Sequence, residues 1–179
     1  MKYPSKTLLF RLLSPLWFPM SKPIDGHDGY YVSVNGTVYR QNPFKVMREE
    51  PNSMGYLRVE FKKGGIRTRE FIHRLVAIAY LGLSSNGIVD HIDGNKTNNK
   101  ASNLRVCTRS ENMWNARTPT TNTSGFKGAY WDKRRGLWLS LIRVCGKSKH
   151  LGRFTSAEEA HLNYCMAACF FRGVFAKAE

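Results

Sequence analysis

Apolar residues alternate with polar ones over "YYVSVNGTVYR", residues 30–40, and the alternation breaks at Asn35-Gly36. A two-residue period marks a half-buried strand, and Asn-Gly is a strong signal for a tight hairpin turn. "GYLRVEFKKGGIRTREFI" repeats the pattern with Gly64-Gly65 at the turn, so residues 28–72 read as β-structure. The period then changes. Leu75, Val76, Ala79 and Tyr80 in "HRLVAIAYLGL" fall at helical spacing, and Gly82 is a plausible stop. "GIVDHI" reads as a short strand, Asp93 to Ser102 as a polar loop, and "NLRVCT" as extended chain. Ser110 is then placed to cap a short helix, "ENMWNAR".

Thr, Asn, Ser, Gly and a proline make residues 118–125 a linker by composition. Beyond it, residues 126–154 read as three strands, with turns near Arg135-Gly136 and Gly146-Lys147. "TSAEEAHLNYCMAACFFRG" follows as an amphipathic helix. Ser156 can cap it, Glu158 and Glu159 suit the positive end of its dipole, and Ala160, Tyr164, Ala167, Ala168 and Phe171 form its packing face. The expected class is α+β: a region at 20–117 that opens with β-hairpins, the linker, and a small three-stranded sheet with one helix at 126–179. Residues 1–19 are apolar, but Arg11 splits the run and Pro15 interrupts it. It is too short to span a bilayer and no small-x-small cleavage site follows, so it reads as an N-terminal extension, with Met20 a second candidate start.

Composition narrows the function. Hydrophobic residues make up 42% of the 179, enough for one ordinary domain or two small ones. Lys and Arg number 28 against 13 Asp and Glu, a net charge of +15, which suits a polyanion: nucleic acid ahead of an anionic membrane surface. The charge is concentrated at 127–153. Lys127, Lys133, Arg134, Arg135, Arg143, Lys147, Lys149 and Arg153 face Asp132 alone, with Tyr130, Trp131 and Trp138 among them. Bases interleaved with aromatics on a sheet read as a nucleic-acid face, in which Trp138 is either a contact or core beneath the helix. The four cysteines form no C-x-x-C pair, so a reducing compartment fits. His161, Cys165 and Cys169 share a helix face, which reads as core rather than as zinc ligands.

One stretch runs against the basic background: "VDHIDGNKTNNKASNLRVCTRSENMWNAR", residues 89–117. Asparagine competes with the backbone for hydrogen bonds, so asparagines at 95, 98, 99, 103, 112 and 115 imply turns, a metal ion or a phosphate. Asp90 and His91 are adjacent where a strand enters the loop. A carboxylate and an amide carbonyl brought together from Asp90 and Asn112 are hard oxygen donors suited to one Mg2+ or Mn2+. Hydrolysing a phosphodiester needs such a cation, a base to activate water and a group to hold that base.

These residues resemble the core of HNH endonucleases with the ββα-metal finger, of the phage homing type. The resemblance rests on Asp90-His91, Asp93-Gly94-Asn95, Asn98-Asn99, Asn103-Leu104-Arg105 and Glu111-Asn112 with Asn115; Asn103 and Asn112 follow Asp90 by 13 and 22 positions. It implies His91 as general base, Asp90 and Asn112 as ligands of the divalent cation, and Asn103 as the group that orients His91 or the scissile phosphate. His73 also recurs there, and is expected to pack at a helix start. Asn98 and Asn99 are expected to serve the turn alone.

Residues 124–179 are similar to the plant-type Apetala/ethylene-response-factor DNA-binding domain, through Lys127-Gly128, Trp138, Ile142-Arg143, Leu151-Gly152, Phe154 and Ala157 to Ala160. That likeness implies DNA contacts from Lys127, Tyr130, Arg134, Arg135, Trp138, Arg143, Lys147, Lys149 and Arg153. Tyr130 and His150 depart from the family's arginine and tryptophan, so the plant recognition sequence does not carry over. The two likenesses together imply a site-directed endonuclease acting on double-stranded DNA. No protein partner, membrane or oligomer is expected, and the compartment is the cytoplasm, of a bacterial host if phage-encoded. A catalytically inactive DNA-binding regulator is the competing reading, and a structured-RNA binder or RNase a third; Asp90, His91 and Asn112 all being present favours the enzyme.

Overall fold

The strands group into small sheets, none of more than four strands among the described residues. The computed structural model describes residues 20–84, 86–116, 118 and 121–176; the expected extension at 1–19 lies outside them. The chain divides into two compact units, Met1–Val106 and Cys107–Glu179, and the fold is α+β, as the patterning predicts.

In the first unit, β1 (Ser21–Pro23), β2 (Tyr30–Ser33), β3 (Val38–Arg40) and β4 (Lys45–Val46) form one antiparallel sheet in that order. Val32 and Val38 pair across β2 and β3 and are both fully buried. The turn between them has Gly36 at φ +89°, a left-handed conformation that costs glycine nothing. A second sheet runs β5 (Glu50–Pro51), β6 (Leu57–Lys63), β7 (Ile66–Phe71). Val59 and Phe61 point inward from β6 and are fully buried. β7 feeds without a break into α1 (Ile72–Leu81), which Gly82 ends in the left-handed conformation, its N–H donating to the Ala77 carbonyl.

Ile72, Leu75 and Val76 of α1 join Ile24, Val32, Val38, Val59, Phe61 and Leu104 in one core. Each such side chain contributes about 1.5–3 kcal/mol by leaving water. The Tyr80 hydroxyl donates to the Val32 carbonyl at 2.9 Å and so ties α1 to the first sheet. On this base stand β8 (Ile88–His91) and β9 (Leu104–Cys107), a two-stranded sheet joined by the polar loop and a 3-10 turn, Ala101–Asn103.

The second unit opens with α2 (Arg109–Asn115). Its cap is Thr108, not the expected Ser110: the Thr108 hydroxyl accepts from the Glu111 N–H while the Glu111 carboxylate accepts from the Thr108 N–H. The reciprocal pair satisfies two otherwise unpartnered donors, which Ser110, already inside the helix, cannot do. β10 (Ala129–Asp132), β11 (Leu137–Val144) and β12 (Lys147–Phe154) form an antiparallel sheet with β11 central. α3 (Ala157–Arg172) packs on it and is capped by Ser156 as expected. Ala157, Ala160, Tyr164 and Ala168 are its buried apolar face, and Ile142 lies beneath. Phe171, expected in that face, is 38% exposed; the buried position one residue on belongs to Arg172, whose guanidinium donates to the Tyr164 hydroxyl at 2.6 Å. Gly128 permits the close fit: a methyl group there would lie 2.2 Å from the Tyr164 ring.

Candidate functional site

Asp90 and His91 end β8, and both are buried. As neighbours on a strand they point to opposite sides. Asp90 is directed at β9, where its Oδ2 accepts from Arg105 Nε at 2.8 Å and Nη2 at 2.7 Å. Both side chains are largely withdrawn from water, so each charge depends on the other for compensation. His91 points into a nest of rings. His73 lies 5.3 Å from it, centroid to centroid, and Tyr56 at 6.0 Å, with Phe71 5.5 Å from His73. Its Nε2 is 3.1 Å from Asn99 Oδ1. His73 packs in the first turn of α1. Burial, with the His91 ring and Arg74 adding to it, lowers its pKa from 6.5 to about 4, so the ring is neutral at physiological pH.

The asparagine-rich loop is built around Asp93. Its carboxylate accepts from the Asn95 N–H at 2.7 Å, Asn98 Nδ2 at 2.7 Å and Asn103 Nδ2 at 2.9 Å. Burial would raise its pKa, but these hydrogen bonds outweigh that and hold it below the usual carboxylate range. The Asp93 N–H returns a bond to Asn103 Oδ1 at 3.2 Å. Asn103 therefore joins the two ends of the loop, and the amide that meets His91 belongs to Asn99. Asn112 is half-buried on α2, in the second unit.

The basic sheet of the second unit has two different faces. Along β11, Trp138 is in phase with Ser140 and Ile142, both fully buried on the side that α3 covers. Trp131 pairs with it, their rings 5.1 Å apart. Lys147 and Lys149 pair with Val144 and Ile142 on that same side, and the Lys149 ammonium lies over the Phe171 ring. Arg143 points the other way, with Tyr130, His150 and Arg153 on flanking strands. Arg134 and Arg135 sit in the β10–β11 turn, where their N–H groups donate to Asp132 Oδ1. Lys127 is in neither set: its ammonium donates to the Trp114 and Ala116 carbonyls at the end of α2, at 2.5 and 2.8 Å.

Residues 70–114 match the family model of the HNH endonuclease, and they include Asp90, His91, Asn103 and Asn112. Over those residues the chain is similar to the HNH endonucleases. A solved structure of DNA binding and cleavage by the HNH homing endonuclease I-HmuI aligns with a TM-score of 0.51 and 29% identity, covering 86% of this chain and 83% of that one. DNA endonuclease I-HmuI of Bacillus phage SP01 is 41% identical over 96 residues, 52% of this chain and 55% of its own length. APETALA2-like protein 2 of Oryza sativa subsp. indica is 40% identical over 58 residues, 32% of this chain but only 13% of its own length. The chain spans about half the length of the leading viral relatives it matches.

The donor set of the HNH domain fits a hard cation that draws most of its shell from water and phosphate. No group of three or more His, Cys, Asp and Glu side chains able to hold a metal occurs among the described residues. Asp90 is a carboxylate fixed in direction by Arg105, a hard oxygen donor of the kind a Mg2+-like ion takes alongside water and phosphate. The helix face of His161, Cys165 and Cys169 is not the buried stripe expected of it. Burial pushes the Cys165 thiol up, and Cys169, expected in the core, is exposed. No helix among the described residues is long and apolar enough to cross a membrane.

Two features escaped sequence reasoning. Asn99 was masked by its equally plausible neighbour Asn98. The outward face of β6 and β7 carries Arg58, Lys62, Arg67 and Arg69 around Glu60, whose two carboxylate oxygens hold Arg67 and Arg69 at 3.2 and 3.1 Å. The signal for this second basic face was available, because Arg58, Glu60 and Lys62 are out of phase with Val59 and Phe61.

Proposed function

We propose that this chain is a metal-dependent endonuclease of the phage homing type, which hydrolyses phosphodiester bonds in double-stranded DNA at a selected site. The carrying observation is Asp90 and His91 at the end of β8, inside the stretch that matches the HNH family, with Arg105 and Asn99 fixing their directions. His91 is the general base that takes a proton from the attacking water. Asp90 and Asn112 would hold one divalent cation, Mg2+ or Mn2+, the assignment of Asn112 resting on its spacing from Asp90. When bound, that cation would neutralise charge on the scissile phosphate and the leaving oxygen. Asn103 keeps the loop closed, so that His91 keeps its place.

Binding is assigned to two basic surfaces. The second unit, a three-stranded sheet packed on one helix, is read as an Apetala-type DNA-binding domain, and the partial match to the plant relative supports that reading. Its outward face offers Arg143, Tyr130, His150 and Arg153, with Arg134 and Arg135 at one end. The β6–β7 face supplies phosphate contacts in the first unit. Groove-facing side chains read bases, while lysines and arginines on the backbone add affinity without sequence information.

Purified protein should nick or cut plasmid DNA with Mg2+ or Mn2+ and stop on addition of EDTA. His91→Ala should lose about 10²–10⁴-fold in rate while still binding DNA. Cutting by His91→Ala at the wild-type rate, or activity that survives thorough chelation, refutes the assignment. DNA binding without cutting under any metal would leave a regulator that has lost cleavage.

A further inference from the structure

We infer that Asn99 is a positioning residue for His91, and that the β2–β3 turn at Gly36 holds Asn99 against it. The inference rests on the endonuclease reading, because it assigns a partner to that site's base. Asn99 and His91 are 5% and 4% exposed, so their contact is made out of reach of competing water. Asn99 Oδ1 has only lone pairs, so the His91 nitrogen facing it at 3.1 Å must carry the ring proton. That fixes the tautomer with hydrogen on Nε2 and leaves the basic lone pair on Nδ1, the state a base needs before it meets water. The His73 ring packs edge-on against the same imidazole, 5.3 Å away between centroids. A neutral amide orients the ring as a carboxylate would, without adding a second negative charge near Asp90.

Asn99 cannot retreat. A methyl group on Gly36 would lie 2.9 Å from Asn99 Cβ and 3.0 Å from its carbonyl oxygen, so the hairpin turn is already in contact with this residue. Two residues on, the Ala101 N–H donates to the Val34 carbonyl at 2.8 Å, anchoring the loop to the same hairpin. Three residues before, Lys96 donates to the Met54 carbonyl at 2.9 Å and lies over the Tyr56 ring. The loop is thus held on both sides of Asn99 by the β2–β3 and β5–β6 turns. Asn98, next to it, spends its amide on Asp93 instead. A residue that served the turn alone would resemble Asn98.

The test uses the full chain with Asn99→Leu, Asn99→Asp, Gly36→Ala and the Gly36→Ala, Asn99→Leu double variant. Plasmid cleavage is measured at saturating Mg2+ with kcat and KM separated, and the His91 tautomer is read from imidazole 15N shifts. Asn99→Leu should lower kcat by about 100-fold, the scale of a misplaced reacting group, with KM and DNA affinity unchanged. Asn99→Asp, which keeps an acceptor at the same place, should recover most of that loss. Gly36→Ala should lower kcat alone, and should add little in the Asn99→Leu background, since both act through one contact. The wild-type ring should show hydrogen on Nε2, and Asn99→Leu a mixture. If Asn99→Leu does not fold, Gly36→Ala carries the same two readouts. Wild-type kcat in Asn99→Leu, equal losses in the Leu and Asp variants, or a tautomer indifferent to both overturns the inference. An inactive wild type would instead refute the endonuclease reading, and the 15N shifts would still decide the role of Asn99.

Discussion

His73 is a neutral imidazole packed where its charged form is unwelcome, and that makes it a measurable source of acid sensitivity. Its pKa falls from 6.5 to about 4, chiefly through burial and then through the His91 ring and Arg74. A tenfold change in a protonation constant is worth about 1.36 kcal/mol, so protonating His73 in the folded state is disfavoured by about 3 kcal/mol. Between pH 6.5 and 4 the unfolded chain holds the proton and the folded chain does not. Stability from this group is therefore complete above pH 6.5 and is lost as the pH falls toward 4. His73→Phe keeps a flat ring among Tyr56, Phe71 and His91 and cannot titrate. It also removes Nδ1, a buried nitrogen with no hydrogen-bond partner among the described residues. Urea unfolding of both proteins at pH 7.5, 6.5, 5.5 and 4.5 isolates the effect, since every other titrating group is common to the two. The variant should match or exceed the wild type at pH 7.5, and the wild type should fall behind by up to about 3 kcal/mol at pH 4.5. Parallel stability curves across that range would show that His73 is protonated as easily folded as unfolded, and would refute the reasoning.

Two further outcomes follow from contacts already described. Arg105→Met should cost about 3–5 kcal/mol in urea unfolding by stranding the buried Asp90 carboxylate, whereas the Asp90→Asn, Arg105→Met pair should cost markedly less; simple additivity would rule out mutual compensation. Arg143→Ala should weaken the preferred DNA site by about 1–3 kcal/mol and relax base choice, while Lys149→Ala, on the α3 side, should leave site choice unchanged in a binding-and-selection assay; the reverse order would put DNA on the other face.

Much of this was legible where local chemistry dictates geometry. Gly36, the Gly64-Gly65 pair, Gly82 and Ser156 each stand at a turn or cap that their residue type demands. β1 was not legible, and β4 and β5 were legible only as part of a stretch of β-structure: each is two or three residues long, too short for alternation to register, and each exists by pairing with a neighbour. Thr108 and Ser110 are both acceptable caps, and only Glu111 at the right distance from Thr108 separates them. Inside the loop the difficulty was degeneracy. Several asparagines can bond Asp93 or His91, and the choice falls to the fold: the β2–β3 hairpin presses on Asn99, and Asn103 closes the ring around Asp93. In the second unit the charge total was plain, but the faces were not, because one extra residue in β12 near Leu151 shifts its pairing with β11.

That division of faces alters what the charge is worth as an electrolyte. Counterions leave DNA only where a cation takes their place, so the salt exponent of binding counts the bases that reach phosphate and ignores the rest. Of the basic side chains between 127 and 153, Lys127 is committed to helix carbonyls and Lys147 and Lys149 lie on the α3 side. DNA on the outward face would then meet Lys133, Arg134, Arg135, Arg143 and Arg153. Five neutralised phosphates correspond to an exponent of about −4.5, against about −7 if every base took part. A sheet that spends part of its charge on its own helix would release DNA less abruptly as salt rises, and so would keep its grip over a wider range of ionic strength than its composition implies.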